Sequence, residues 1–398
     1  MKGPQNRPPY FQSREFSVSL SGQTVRYYSK PGIPEWKLIT PASLLLAEYT
    51  ELAPGAHVLL LGCRHGALAV ALARRALTGE VWLRDDNIIA LRMSEKTLQA
   101  NAIVNAVVHP QISVLPAGFE AFDTVVVEIP KGRLLIRRWL VEALNALRMG
   151  GYLYLAGSNE QGIHSAIKDA EGLFGNKSIL GYKKGNRVAR FMKDTPLPLS
   201  LTWAFEPGVY PETWLEFDIE VLGKSMHLYS LPGVFSSDRL DDGTRLLLSS
   251  LEVPPGARLL DLGCGYGLIG LIAAQNQATH VDMVDTNLLA VAAAHANLAL
   301  YGIQNARAFP SDALEAVIDR RYTHVVTNPP FHVGHSVDYQ ATQAFIQQAW
   351  QVLEPEGQLL LVANKFIRYD LEMTPLFKPI ERLAETNRYQ LLSARKAA

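Results

Sequence analysis

The sequence predicts an α/β protein of two tandem Rossmann-like domains, each a mostly parallel sheet with helices on both faces and a C-terminal antiparallel hairpin. Two observations carry this expectation. Strand-like apolar runs alternate with helix-like ones, as a parallel sheet covered by helices requires. The chain also repeats itself at an offset of 201 residues.

The repeat is read in order along the chain. Phe16-Ser-Val-Ser-Leu-Ser-Gly22 and Tyr28-Ser29-Lys30-Pro31-Gly32 match Phe217-Asp-Ile-Glu-Val-Leu-Gly223 and Tyr229-Ser230-Leu231-Pro232-Gly233. Pro54-Gly55-Ala56 matches Pro255-Gly256-Ala257, and Leu61-Gly62-Cys63 matches Leu262-Gly263-Cys264. With small shifts, Asp85-x-Asn87 falls on Asp285-x-Asn287, the strand from Phe122 on that from Tyr322, and Asn186-Arg187 on Asn387-Arg388. Domains are therefore expected at 1–194 and 210–398, joined by a linker at 195–209. Two prolines in Asp194-Thr-Pro-Leu-Pro-Leu-Ser200 favour an extended connector there.

In the second copy the apolar pattern predicts a strand at Arg258–Leu262, a helix at Leu268–Ala274, a strand at Thr279–Val284 and a helix at Leu288–Leu300. A strand at Thr323–Thr327, a helix at Ala341–Leu353 and a strand at Gln358–Ala363 follow, with Glu354-Pro-Glu-Gly357 as a tight turn. Ile380–Ala384 and Tyr389–Ala394 read as the closing hairpin.

Composition sets the outer bounds. At about 150 residues per domain, 398 residues hold two to three domains. Apolar residues are 48% and charged residues 19%, a globular balance. The 38 basic and 38 acidic side chains exclude a uniformly basic nucleic-acid coat. Residues 1–200 nevertheless carry 24 Lys and Arg against 16 Asp and Glu, so the two halves are oppositely charged. Two cysteines, Cys63 and Cys264, support neither a thiolate zinc site nor a disulfide framework. The amino terminus lacks a signal-peptide core and no run reaches a membrane span, so a cytoplasmic protein is expected.

Leu259-Leu260-Asp261-Leu262-Gly263-Cys264-Gly265-Tyr266-Gly267 runs from a strand into glycines and then a helix. Glycines let the backbone turn tightly and lie against a ligand with no Cβ in the way. Asp285 ends the next strand 20 positions after Gly265, where a carboxylate can accept from both hydroxyls of a ribose. Asp261, Gly263, Gly265, Gly267 and Asp285 thus outline a nucleoside pocket. Gly265-Tyr-Gly267-Leu-Ile-Gly270 also spells the dinucleotide fingerprint, so an NAD-linked oxidoreductase stays open at this point.

Asn328-Pro329-Pro330-Phe331 follows the fourth strand. Two prolines hold the backbone extended and remove two donors, leaving carbonyls as acceptors. With the Asn328 side-chain oxygen they could grip a planar NH2 group while Phe331 stacks on its ring. That chemistry suits the exocyclic amine of a base.

On these residues, with Pro232-Gly-Val-Phe-Ser236 and Leu240-Asp241-Asp-Gly243, the chain resembles class I S-adenosylmethionine-dependent methyltransferases, specifically bacterial ribosomal-RNA guanine-N2 methyltransferases. The resemblance implies S-adenosyl-L-methionine as cofactor, a guanine of 16S or 23S RNA as substrate, and a catalytically dead first domain before an active second one. It also implies that Asp312 and Asn328 help bind the cofactor, Asp312 at the adenine amine, and that His332 joins Phe331 in lining the substrate mouth. Catalysis is expected from Asn328, Pro329, Pro330 and Phe331, with ribosomal RNA or a ribosomal subunit as partner.

Comparison of the copies agrees. Gly263-Cys-Gly265-Tyr-Gly267 becomes Gly62-Cys-Arg64-His-Gly66, and Asn328-Pro-Pro-Phe331 becomes Glu128-Ile-Pro-Lys131. The first copy is expected neither to bind cofactor in the usual way nor to catalyse. Its cations, Lys30, Arg64, Arg74, Arg75, Lys131, Arg133, Arg137, Arg138, Lys183, Lys184, Arg187 and Arg190, are read as a phosphate-contacting surface. His332 and His335 are too few to hold a metal. Adenine N6, a release-factor glutamine and a non-catalytic RNA-binding assembly module remain alternatives. Two fused copies reduce the need for a dimer, so a monomer is expected.

Overall fold

The computed structural model describes residues 9–112, 120–329 and 339–398. Contacts divide the chain into two compact units, Gln12–Trp214 and Leu215–Ala398, the second joined by Pro9–Phe11. Among the described residues no helix is long and apolar enough to cross a membrane.

The first unit opens on a hairpin, β1 (Arg14–Leu20) and β2 (Gln23–Ser29), and helix α1 (Pro41–Tyr49). Then come β3 (His57–Leu61), α2 (Ala67–Ala73), β4 (Glu80–Arg84), α3 (Ile88–Ala100), β5 (Ala106–Val108), β6 (Phe122–Glu128), α4 (Arg133–Ala146) and β7 (Leu147–Ser158). Helix α5 (Ile163–Phe174) leads into β8 (Ser178–Lys183) and β9 (Asn186–Met192). One sheet results, ordered β5-β4-β3-β6-β7-β9-β8, parallel through β7 and antiparallel where β9 pairs with β7 and β8.

The second unit repeats this plan. A hairpin of β10 (Leu215–Val221) and β11 (Lys224–Ser230) precedes α6 (Asp242–Leu248). The alternation runs β12 (Arg258–Leu262), α7 (Leu268–Gln275), β13 (His280–Asp285), α8 (Leu288–Leu300), β14 (Ala306–Pro310), β15 (Tyr322–Thr327), α9 (Tyr339–Val352) and β16 (Leu353–Asn364). Short α10 (Tyr369–Met373) and the hairpin β17 (Ile380–Glu385) and β18 (Tyr389–Arg395) finish it. The order β14-β13-β12-β15-β16-β18-β17 is the first sheet's order over again, so the repeat in the sequence is a repeat of fold.

Local chemistry explains the elements that carry the site. Leu259 to Leu262 of β12 are buried on both faces, which is why this strand reads as a continuous run rather than an alternation. Asn287 caps α8, its side chain accepting from Leu289 N at 2.9 Å, and its amide also donates to Gly233 O at 2.9 Å. Asn297 is fully buried in the same helix. Its amide donates to Tyr229 O and Tyr266 O at 2.9 and 2.8 Å, tying the β11 end to the glycine turn.

Three expectations are modified. Glu354-Pro-Glu-Gly357 does not end an element: β16 starts at Leu353, and the register on β15 jumps from Leu353 to Gln358 while Glu356 takes φ 61. The turn is an excursion inside the strand. The segment 195–209 is not extended throughout, because Thr202–Phe205 forms a 3-10 helix and Ala204 and Val209 are fully buried. Arg138 Nη1 donates to Gly208 O at 2.7 Å and Arg137 lies over the Trp203 ring, which holds this stretch on α4. Finally, Tyr10 is buried in the core of the second unit, edge-on to Phe345, although sequence proximity assigned it to the first.

Candidate functional site

In the second sheet β12 lies between β13 and β15, and the connections that follow these strands diverge to opposite faces. A crevice at the carboxyl ends of the strands is the consequence. It forms a cavity of 620 Å3 whose wall includes Gly263, Gly265, Asp285, Asn328 and Pro329.

Gly263, Gly265 and Gly267 take φ 77, 55 and 86, a region open to glycine at little cost. They divide two tasks. A Cβ on Gly263 or Gly265 would meet no protein atom within 4 Å, and both residues line the cavity. On Gly267 it would come within 2.8 Å of the Ala294 side chain, where α7 packs on α8. The first two give a ligand room; the third gives the helices room.

Asp285 is held in place by its own acceptors. Its Oδ2 accepts from Gly265 N and its Oδ1 from Asn287 N, both at 2.9 Å. Burial raises its pKa above the ordinary carboxylate value, and these backbone donors oppose the rise. Each oxygen keeps a further lone pair for a hydroxyl donor.

Three of the expected cofactor residues stand off the cavity, Gly267 and two carboxylates. Asp261 is fully buried behind the turn, its Oδ2 accepting from Gly270 N at 2.9 Å. Asp312 is 8% exposed, and its neighbours Ser311 and Ala313 line the cavity while Asp312 does not. Burial pushes the Asp261 carboxyl up to about 7, with Asp285 adding to the rise. In the folded protein the group therefore holds a proton between about pH 4 and 7 that the unfolded chain has lost, and its contribution to stability falls as pH rises through that window. Asp261→Asn should keep the Gly270 contact and abolish the titration. Its melting temperature relative to the parent, measured without cofactor, should rise by several degrees from pH 5 to pH 8.5. A pH-independent difference would show that the carboxyl stays ionised.

Asn328 follows β15, whose end is pinned by Thr327 Oγ1 donating to Leu262 O at 2.7 Å. Its Nδ2 donates to Asp241 Oδ2 and to Thr244 Oγ1, both at 3.0 Å. Asp241 also caps α6, accepting from Thr244 N at 3.0 Å. Gly243 is small for a reason: a Cβ there would lie 3.0 Å from Asp241 Oδ2 and 3.4 Å from Asn328 Nδ2. Pro330, Phe331 and His332, on which the stacking and substrate-mouth expectations rest, lie outside the described residues, as does His335.

The matching place in the first unit is closed by side chains. Arg64 takes φ 54 where Gly265 takes 55. Its Nη1 lies 3.5 Å from Glu128 Oε1, and Nη2 donates to Pro34 O beside Glu35. Glu128 also accepts from Thr40 Oγ1 at 2.8 Å and from Ser43 Oγ. A second buried network sits nearby, with Arg84 3.1 Å from Asp86 and 3.2 Å from Glu142. Each of these charged side chains has an oppositely charged partner within the same unit.

Sequence reasoning missed Asp241 and Thr244 as neighbours of Asn328, and Arg388 and Tyr389 as part of the wall. The available signal was cap grammar, an Asp three residues before Thr244 and ahead of Leu246-Leu-Leu248. The wall contribution of the closing hairpin had no local signal. Of the cations read as a surface, Lys30 and Arg138 are buried and the Arg64 side chain is 13% exposed, whereas Lys131, Arg133, Lys183 and Lys184 are exposed.

Comparison with known proteins agrees with the duplication. The family model described as methyltransferase small domain matches residues 24–190 and again 225–393. A ribosomal RNA small subunit methyltransferase C of Pseudoalteromonas atlantica is 33% identical over 277 residues, 69% of this chain and 78% of that protein. The protein of that name from Pseudomonas aeruginosa is 32% identical over 280 residues, 70% of this chain and 80% of the relative. Among solved structures, a T. thermophilus 16S rRNA N2 G1207 methyltransferase in complex with AdoMet and guanosine is similar at TM-score 0.78 and 29% identity, covering 96% of this chain and 98% of that one.

Proposed function

The chain belongs to the ribosomal RNA small subunit methyltransferase C family, and from that premise we propose how its residues divide the work. It is an S-adenosylmethionine-dependent enzyme that methylates the exocyclic N2 amino group of a guanine in 16S ribosomal RNA. The second unit performs the chemistry. The observation that supports this division is the Asn328 amide, oriented by Asp241 and Thr244 at the edge of a cavity that has Asp285 and the glycine turn in its wall.

The residues present fit the cofactor. Gly263 and Gly265 leave a cradle that a Cβ would fill, and Asp285 keeps acceptor capacity for ribose hydroxyls. Bound there, S-adenosylmethionine supplies an electrophilic methyl group. Asn328 Oδ1 and the Pro329 carbonyl accept from the two N–H groups of guanine N2, which frees the nitrogen lone pair from the ring and tolerates its growing positive charge. The N2–carbon bond forms as the carbon–sulfur bond breaks, and one N2 proton leaves to water. Positioning supplies most of the rate, so no strong base is needed. The resemblance assigns Phe331 to stack on a base that must leave its own stack to enter, and His332 to the substrate mouth. Asp261 and Gly267 shape the turn from behind. Asp312, off the cavity wall, is assigned to the adenine amine by resemblance alone.

The first unit, in this reading, contacts RNA without catalysing. The exposed cations Lys131, Lys183 and Lys184 are the ones offered to phosphates, a narrower set than the charge sum suggested, because the exposed Arg133 already pairs with Asp169 at 3.2 Å. We place the enzyme in the cytoplasm as a monomer acting on ribosomal RNA, free or within a ribosomal subunit. Mass mapping of 16S RNA from cells lacking the protein tests the function: one N2-methylguanine should disappear and return on complementation. Complementation by Lys183→Glu/Lys184→Glu should restore it only partly, although cofactor binding stays intact. An unchanged guanine map would refute the assignment.

A further inference from the structure

We propose that Asp241 and Thr244 are the positioning residues of the reaction: by taking both N–H bonds of the Asn328 amide, they fix which end of that amide faces the substrate. The inference rests on the reading of Asn328 as the acceptor of the target amine. An amide offers an oxygen at one end and an NH2 at the other, and nothing in a rotatable side chain selects between them. Presenting NH2 to an amine would set donor against donor. An ionised carboxylate can only accept, so Asp241 Oδ2 at 3.0 Å requires Nδ2 on its side, and Thr244 Oγ1 at 3.0 Å takes the second N–H. Oδ1 is then left for the cavity. Asp241 is itself fixed by capping α6 through Thr244 N, and Gly243 leaves room for the arrangement.

The chain holds an independent control of this logic. At the same cap position of α1 stands Thr40, three residues before Ser43, and both face Glu128, the counterpart of Asn328. There the polarity is inverted: two hydroxyls donate to a carboxylate, where in the second unit a carboxylate and a hydroxyl accept from an amide. Each copy keeps a matched set of donors and acceptors, and the sets are not interchangeable piecemeal.

This predicts a rescue. Asn328→Asp retains an acceptor for the amine but sets a carboxylate against Asp241, and should lower kcat at least 100-fold. Asp241→Thr keeps a cap and alone should cost less than tenfold. In the double variant the Thr hydroxyl can donate to the new carboxylate as Thr40 does to Glu128, and kcat should recover at least tenfold over Asn328→Asp. The measurement is single-turnover methyl transfer to 16S RNA or small subunits from cells lacking the enzyme, with S-adenosylmethionine affinity by calorimetry expected within threefold throughout. Failure of the double variant to exceed Asn328→Asp, or full activity of Asn328→Asp alone, would overturn the positioning role. Asn328→Ala is run alongside. If it is fully active, the reading of Asn328 falls; if it is inactive and the rescue fails, only the present inference falls.

Discussion

Asn328→Ala is expected to reduce kcat roughly 100- to 1,000-fold, the scale seen when one preorganised polar group aimed at developing charge is removed. Cofactor affinity should be almost unchanged, which leaves Asn328 only a small part in the cofactor binding that the resemblance implies for it. The separation follows from geometry. The nucleoside-binding elements are Asp285 and the glycine turn, held by hydrogen bonds that do not involve Asn328. The amide instead bonds to Asp241 and Thr244. Removing it deprives those two of a donor, but Asp241 still caps α6 through Thr244 N, so the helix start survives. The lost interaction is one that strengthens as N2 becomes positive, which makes the effect fall on kcat rather than on binding. Single-turnover methylation with calorimetry of S-adenosylmethionine checks it. A parallel loss of affinity and turnover would mean that Asn328 supports the wall of the cavity and does not act on the amine.

The fold was legible because it is written twice. A repeat at near-constant offset fixes the order of elements without any knowledge of contacts, and Leu288–Leu300 is legible to the residue because Asn287 caps it and its buried face is apolar except for Asn297. The Gly265 and Asp285 pairing was legible for a related reason: β12 and β13, joined by one helix, lie side by side in the sheet, so 20 residues of sequence become a 2.9 Å hydrogen bond. What the sequence hides is chemistry between elements that only tertiary structure brings together. Asp241 and Asn328 are 87 positions apart, and neither motif names the other. Charge counts fail for a different reason, because they ignore burial. Arg84 is fully buried between Asp86 and Glu142, and Arg138 donates to a backbone carbonyl inside the unit, so the positive sum of the first half overstates its surface.

Gly265→Arg should weaken S-adenosylmethionine binding more than 100-fold while leaving the second unit folded, and the chain itself supplies the argument. At position 64 an arginine already occupies this turn with φ 54 against 55 for Gly265, and its N donates to Asp85 Oδ2 at 3.0 Å as Gly265 N does to Asp285 at 2.9 Å. The backbone thus accepts a side chain there for about 1 kcal/mol of left-handed strain. What it does not accept is a ligand as well. The Arg64 side chain runs from the turn to Glu128, Pro34 and Glu35, and their counterparts Asn328, Phe235 and Ser236 line the cavity of the second unit. An arginine at 265 would cross the same space, drawn toward Asp241, and its charge would oppose the sulfonium of the cofactor. Calorimetry should find no binding at concentrations that saturate the parent, with a melting temperature before cofactor is added lowered by only about 2–4 °C, as that strain requires; near-parental affinity would mean that the cofactor does not approach this turn. The reverse change, Arg64→Gly, should create no site. Trp139 would still pack within 3.0 Å of a Cβ on Gly62, and the buried Arg84 network would still fill the strand ends, because the first copy closed its pocket with several matched groups and one deletion reopens none of the others.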